Sequence, residues 1–359
     1  MNNMTLNQNS EFLFLFQSTL SNPNGDPDQE NKPRMDYETF TVLVSDVRRK
    51  RDIREHLKNK GYRIFVDTLA DQKVPMDVMF NHIITEWLEN NEKIDRLFSE
   101  NKDLKEQWEK VFGDSKDYAN TYFKKAEQMK NKKDKEKKEF IKFNNEFLTE
   151  IIKRELIDIR LFGSAMAVEG VSKTFTGPIQ ISWGYSLHPV DLVKSSTITS
   201  IMNDDSSTFG KKYKIYYALI AHYGTINKFN ARRTGMCEND RDIFRKAIVQ
   251  SIMSNQTDSK QGQEPLLYLE IIYRPEFDGY LGDLRRFLHT DWKNGKPIRN
   301  MNDLKVDFAR LKETVQDMIQ KGYIEKVVGW RHPFAAEDNL VNLPEYEEID
   351  LLVPIKMEG

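Results

Sequence analysis

A single cysteine, Cys237, stands among the 359 residues, so the chain holds no internal disulfide and no thiolate metal cluster. That fits a reducing compartment. Long apolar runs are missing too. Nothing approaches the roughly 18 residues of a membrane span, so no membrane partner is expected. The apolar stretch at residues 12–16 has no basic flank before it and no small-residue cleavage site, which excludes a secretory signal. A soluble, cytoplasmic protein is expected. An excess of charge of one sign is also lacking: 54 Lys and Arg face 56 Asp and Glu, a net charge of −2. Any nucleic-acid site must therefore be a local stripe rather than a basic surface. His56, His82, His188, His222, His289 and His332 show no paired ligand spacing, and no glycine loop with a lysine is present to cradle a nucleotide phosphate. No cofactor is expected.

The length allows one large domain or two modest ones, and 39% apolar residues support a real core. Residues 22–57 organise the reading. Glu11-Phe-Leu-Phe-Leu-Phe16 is apolar on both faces, as in a covered central strand. Asn22-Pro-Asn-Gly-Asp-Pro27 then gathers the residues that favour turns. Lys32 and Arg34 follow, then a helix start at Ser45-Asp46 carrying Arg48, Arg49, Lys50, Arg51 and Arg54. Val47, Lys50, Arg54 and Leu57 are spaced 3, 4 and 3, which predicts one stripe packed on the sheet. Its cations then need a carboxylate of the protein or a phosphate, unless their long stems merely run past apolar neighbours.

A short strand is expected at 62–66, then a helical insertion over 76–145 whose Lys-rich stretch, 131–138, reads as a solvated face. A helix at 146–157 and a strand at 159–167 are expected next. Ile179, Ile181, Trp183, Tyr185 and Leu187 alternate with Gln180, Ser182, Gly184 and Ser186, which predicts a half-buried strand with a small, polar outer face. Residues 188–212 form a long segment with an apolar patch at Ile198, Ile201 and Met202. Beyond it come a central strand at 215–223, a helix from an Asn239 cap to Ser254, a strand at 265–274, a helix near 302–320 and a last strand at 349–355. Two strand-helix-strand units give an α+β, ferredoxin-like or RRM-like sandwich. Such sheets commonly bind single-stranded RNA on an open face. Two other classes stand beside RNA binding in a complex. Asp26, Asp28 and Glu30 with Asp36 or Asp46 mimic an oxygen-ligand metal site, as in a metal-dependent ribonuclease, though without the calcium-loop glycine and distal glutamate. A generic RRM-type RNA-binding protein would explain the fold but not the 188–212 segment.

Several motifs together are similar to a known family. Asn22-Pro-Asn-Gly-Asp-Pro, Asn31-Lys-Pro-Arg-Met-Asp36, Val44-Ser-Asp-Val-Arg-Arg-Lys-Arg51 and Asp158-Ile-Arg-Leu-Phe-Gly163 occur in order. Gly177-Pro-Ile-Gln-Ile-Ser-Trp-Gly184 and Leu187-His-Pro-Val190 follow them. Over residues 12–290 the chain resembles the backbone subunit of the CRISPR Cascade complex, most closely its type I-B branch. The basic stretch Arg232-Arg-Thr-Gly235 departs from the family's usual pattern. The resemblance implies a non-catalytic protein that polymerises along crRNA and displays it to target DNA beside other Cascade subunits. It implies a palm from 11–75 and 146–359, a finger at 76–145 and a thumb hairpin at 188–212. A guide of any sequence must be held by its backbone, through cations and amide donors. Asn22, Asn24, Gly25, Lys32, Arg34, Lys50, Arg51 and Arg54 are the candidates near the turn. Lys173, Gln180, Ser182, Lys211, Lys212 and Arg232 join them, with Ile201 or Met202 as the thumb's wedge between stacked bases. The rival reading for Asn22, Asn24 and Gly25 is that they supply unusual φ angles.

Overall fold

The computed structural model describes residues 4–65, 76–133, 135–168, 171–194, 197–203, 206–293, 295–333, 335, 343 and 345–357. In chain order the N-terminal part gives β1 (Ser10–Thr19), the short strands β2 (Gly25–Asp26), β3 (Lys32–Pro33) and β4 (Met35–Asp36), then β5 (Thr41–Val44) and α1 (Asp46–Asn59). Next come α2 (Met76–Leu88), α3 (Asn91–Glu100), α4 (Lys102–Phe112), α5 (Tyr118–Met129), α6 (Lys135–Glu155) and α7 (Ile157–Phe162). Two hairpin strands, β6 (Gly163–Val168) and β7 (Val171–Thr176), precede β8 (Ile179–Ile181), β9 (Gly184–Ser186), β10 (Thr197–Asn203), β11 (Ser206–Lys211) and β12 (Tyr217–Ile226). The C-terminal part holds α8 (Lys228–Thr234), α9 (Glu238–Ser254), β13 (Gln263–Tyr273), β14 (His289–Trp292), β15 (Leu304–Asp307), α10 (Ala309–Gln320), β16 (Ile324–Arg331) and β17 (Tyr346–Glu348). No helix among the described residues is long and apolar enough to cross a membrane.

The chain divides into two units. The first, residues 1–62, 178–232 and 236–359, carries a nine-stranded sheet in the order β17-β16-β13-β1-β12-β9-β5-β4, with β8 also on β12. Every pairing is antiparallel except β16 with β17. β1 sits between β12 and β13, with Phe14 opposite His222 and Tyr268, so its apolar residues have neighbours on both sides and both faces. Phe12 meets Phe244 of α9 edge to face at 5.3 Å on one face. On the other, Leu13 and Leu15 join Leu269, Leu284, Leu311 and Val315. Each such buried Phe or Leu contributes about 1.5–3 kcal/mol. The second face is thus covered by the 284–319 region, and the open sheet surface expected for RNA is absent over β1 and β13.

The second unit, 63–177 with 233–235, is mainly helical. Ile94, Leu97, Leu104 and Trp108, at the helical spacing read from the sequence, are all buried in its core. Trp108 stacks on Phe112 at 4.2 Å, and Phe143 on Phe147 at 5.3 Å.

Five expectations are corrected. Residues 159–162 belong to α7, and the strand after them pairs only in the β6–β7 hairpin. The alternation at 179–187 reverses between β8 and β9, burying Gly184 and Ser186 and exposing Trp183. The last strand is β17 at 346–348 rather than 349–355, and 62–65 is not a strand. The α1 stripe is the fifth. Val47 is 67% exposed while Leu57 is fully buried, since ten residues set them about 80° apart around the helix. The buried face is Arg49, Asp52, Ile53, His56 and Leu57.

Candidate nucleic-acid interface

The opening turn is bound to its surroundings by its own amides. The Asn22 backbone N–H donates to Ser259 O (2.7 Å), and its Nδ2 donates to Asn31 O (2.8 Å). Asn24 Oδ1 accepts from the Ser45 N–H (2.8 Å) and hydroxyl (3.0 Å), tying the turn to the residue that caps α1. Gly25 approaches Asn31 closely: a Cβ there would run into the Asn31 side chain and displace it. The left-handed residues of the turn are Glu30 (φ 52°) and Asn31 (φ 60°), so the unusual angles are not supplied by Asn22, Asn24 or Gly25.

Around this turn cations gather beside aromatic rings. Arg34 pairs with Asp26 at 3.0 Å and lies over the Trp183 ring at 5.4 Å. Lys32 lies over the Tyr213 ring at 5.3 Å. Glu30 accepts from the Tyr213 hydroxyl (2.7 Å) and from Lys211 (3.2 Å). Those two contacts hold the Glu30 carboxyl below its usual range, and Glu30 in turn raises Lys211. The next loop adds Lys212, paired with Asp258 at 2.7 Å, and Lys214, which donates to Asp258 O. The hydrogen bond from Lys212 lowers the Asp258 carboxyl.

Behind the turn, α1 holds a more concentrated charge. Asp52 is buried and receives Arg48 (3.1 Å), Lys260 (2.9 Å) and Arg49. Three positive groups on one carboxylate leave an excess of two. Arg49 also lies over Phe16 at 5.3 Å, and its Nε and Nη1 are buried without a hydrogen-bond partner. Half-buried Lys50 pairs with Asp46 (3.1 Å), exposed Arg51 pairs with Glu55 (2.8 Å), and Arg54 is half-buried. An exposed pair such as Arg51–Glu55 is worth about 0–1 kcal/mol, so a phosphate can replace its carboxylate at little cost.

The structure brings Asn22, Asn24, Gly25, Lys32, Arg34 and Lys211 together directly, with Lys212 joined through the Asp258–Ser259 loop. Other candidates have different surroundings. Gln180 is exposed on β8, but both the N–H and hydroxyl of Ser182 donate to Tyr223 O, which commits Ser182 to the sheet. Arg232 is exposed on α8 and lies over the Phe229 ring of the same helix at 5.8 Å. The side chains of Lys173, Ile201 and Met202 lie outside the described residues, although their backbones run in β7 and β10. The carboxylates of the metal reading are separately engaged: Asp26 by Arg34 and the Asp28 N–H, Glu30 by Lys211 and Tyr213, Asp36 by Thr39, Asp46 by Lys50. Among the described residues no group of three His, Cys, Asp or Glu converges as metal ligands do.

Sequence reasoning misses Arg48, Arg49, Lys260, Trp183 and Tyr213 as members of the cluster. The pair at 48–49 is visible as part of a basic run, but the spacing from Val47 to Leu57 points to a different stripe. Trp183 reads as inward from an alternation that the chain breaks.

The family model described as CRISPR-associated protein Cas7 matches residues 8–309. The CRISPR-associated protein Cas7 of Haloferax volcanii is 24% identical over 350 residues, spanning 91% of this chain and 88% of its own. A solved chain named "CRISPR RNA-guided surveillance complex, pre-nicking" aligns with a TM-score of 0.51 at 14% identity, over 96% of this chain and 97% of that one. At that identity the likeness speaks for a shared fold. A family pattern running through both the sheet and the helical unit is decisive, and the chain belongs to the Cas7 family of CRISPR-associated proteins.

Proposed function

We propose that this chain is a non-catalytic backbone subunit of a type I CRISPR effector complex. Copies of it hold one crRNA through phosphate and sugar contacts and present its bases to target DNA, beside other Cascade subunits. The observation that carries the reading is the convergence of Arg48, Arg49 and Lys260 on the one buried carboxylate of Asp52, behind a turn edged by Lys32, Arg34 and Lys211. Phosphate contacts of this kind are indifferent to base sequence, as a backbone that accepts any guide requires.

The palm of this reading is the set of strands β13-β1-β12 followed by β8 and β9, with α9 and α1 on one face. In this reading that order stands for the ferredoxin-like one, with the 179–186 segment in the place expected for 159–167. The finger is the helical insertion at 76–145, and the thumb is the 188–212 segment with its β10–β11 hairpin. Ile201 or Met202 on β10 is the wedge that parts stacked bases. The type I-B assignment rests on the motifs alone.

Co-expression with a CRISPR array tests the reading. A purified multimer carrying one guide RNA, with copies repeated along it in electron micrographs, is the expected result; a nucleotide-free monomer contradicts it. Met202→Ala should disturb the periodicity of nuclease protection on that guide, and an unchanged footprint places the wedge elsewhere. RNA incubated with Mg²⁺ or Mn²⁺ should stay intact. Cleavage that disappears in Asp26→Ala would favour the ribonuclease reading instead.

A further inference from the structure

Trp183 stands out among the large apolar side chains because it is 45% exposed while its backbone is pinned on every side. Its carbonyl accepts from Arg285 Nη1 at 2.6 Å, and Arg285 is itself buried and paired with Asp283. On one flank the Ser182 N–H and hydroxyl donate to Tyr223 O, at 2.8 and 2.9 Å. The Ser182 carbonyl accepts from His222 Nδ1 at 3.1 Å. On the other flank Gly184 lies against the His222 ring, where a Cβ would sit 2.6 Å from ring atoms. The strand reverses its alternation at this point because Gly184 must face inward, and the indole is thereby turned out. Single exposed apolar residues need no explanation. An indole fixed at its backbone and lying beside the Arg34 guanidinium at 5.4 Å is another matter.

We infer that Trp183 is a stacking platform for a base of single-stranded nucleic acid, with Arg34 behind it. This deepens the function proposed above and rests on it. A base stacked on an aromatic ring is held whatever its identity, because every base has a π-face. Pre-organisation strengthens the effect, since little backbone order remains to be imposed on binding. Arg34 adds cation–π attraction to the ring and positive charge where the attached phosphate would lie. Lys32 over Tyr213 and Lys211 on Glu30 extend the same positive margin for the flanking phosphates. A neutral protein partner would use the indole but has no need of this surrounding charge.

The test uses the full chain with single-stranded oligouridylate and the same oligomer bearing abasic sites. Trp183→Ala should weaken binding of the intact RNA about tenfold, and Trp183→Phe should restore most of that affinity. The log–log salt slope should be unchanged in both, because the phosphate-binding cations are untouched. RNA-induced quenching of tryptophan emission should be smaller in Trp183→Phe than in the original chain. Abasic RNA should bind the original chain no better than intact RNA binds Trp183→Ala. If the chain binds RNA with its full salt slope while Trp183→Ala stays within about twofold, stacking is overturned and the phosphate reading survives. Self-association that vanishes in Trp183→Ala without RNA, at unchanged RNA affinity, would assign the indole to a protein contact and also overturn it. If the original chain binds no RNA, the function proposed above fails and this inference falls with it.

Discussion

Two regions of this molecule are rich in Lys and Arg, and they treat charge in opposite ways. In the helical unit the carboxylates that meet cations are solvent-facing, whether paired singly, as Glu109 with Lys105 and Glu139 with Lys135, or shared, as Glu100 by Arg96 and Arg154 and Glu136 by Lys125 and Lys132. Behind the opening turn the cations converge on a buried one instead. Arg48, Arg49 and Lys260 share Asp52, while in the turn itself Arg34 pairs with Asp26 and Lys211 with Glu30. The first arrangement keeps a helix solvated. The second leaves positive charge over on a buried carboxylate. Counting cations along the chain does not separate these regions; the burial of the carboxylate they share does, 2% exposed at Asp52 against 43% at Glu100 and Glu136.

The comparison is broken most severely at Asp52. Asp52→Ala strands three cations, two of them on the same helix turn, and should cost about 3–5 kcal/mol in urea unfolding. The matching change in the helical unit, Glu139→Ala, removes an exposed partner of Lys135 and should stay within about 1 kcal/mol. A similar cost in both would mean that burying a shared carboxylate makes no difference. Gly184→Ala probes the packing that turns the chain beside the cluster: its new methyl meets the His222 ring, and overpacking of about 1–3 kcal/mol should follow.

The acid limb of stability gives a smaller effect. Burial, with Arg49 nearby, depresses the His222 pKa from 6.5 to about 3. A base depressed in the folded state binds its proton more readily when unfolded, so its contribution is full above the unfolded value and declines as pH falls toward the folded one. Stability should therefore drop between about pH 6.5 and 3, and His222→Phe should flatten that limb in melts recorded across the range. An unchanged limb would show that His222 is already charged in the fold.

Much of the sheet was legible in the sequence. β1, β12 and β13 announce themselves as apolar runs, and Ser45 caps α1 as expected because its hydroxyl accepts from the Arg48 N–H at 3.3 Å. The cap of α9 lies at Cys237, two residues before the expected Asn239, with Asp240 closing a reciprocal bond to the Cys237 N–H. The α1 error has a plain cause. Periodicity names a face by its apolar residues, and here buried charge sits on the faces that matter. Arg49 with Asp52 lies inward on α1, and Glu270 with Arg245 lies buried between β13 and α9. Leu57 fixed the helix face correctly, but Val47 near the helix start did not share it. The 179–187 alternation failed because a glycine-to-histidine contact across strands outweighs the burial of one tryptophan. The candidate site was legible as composition, in the turn and the basic run. The sharing of Asp52 by α1 and the 258–260 loop was not, because Lys260 is about two hundred residues from its partner.

The most direct measurement is the salt dependence of single-stranded RNA binding by two triple variants. Lys32→Ala with Arg34→Ala and Lys211→Ala should make the log–log slope shallower by about 0.7 for each phosphate no longer neutralised, up to about 2 in all. Lys105→Ala with Lys130→Ala and Lys135→Ala, in the helical unit, should leave the slope as it was. Equal slopes in the two variants, or a change confined to the helical one, would contradict the account.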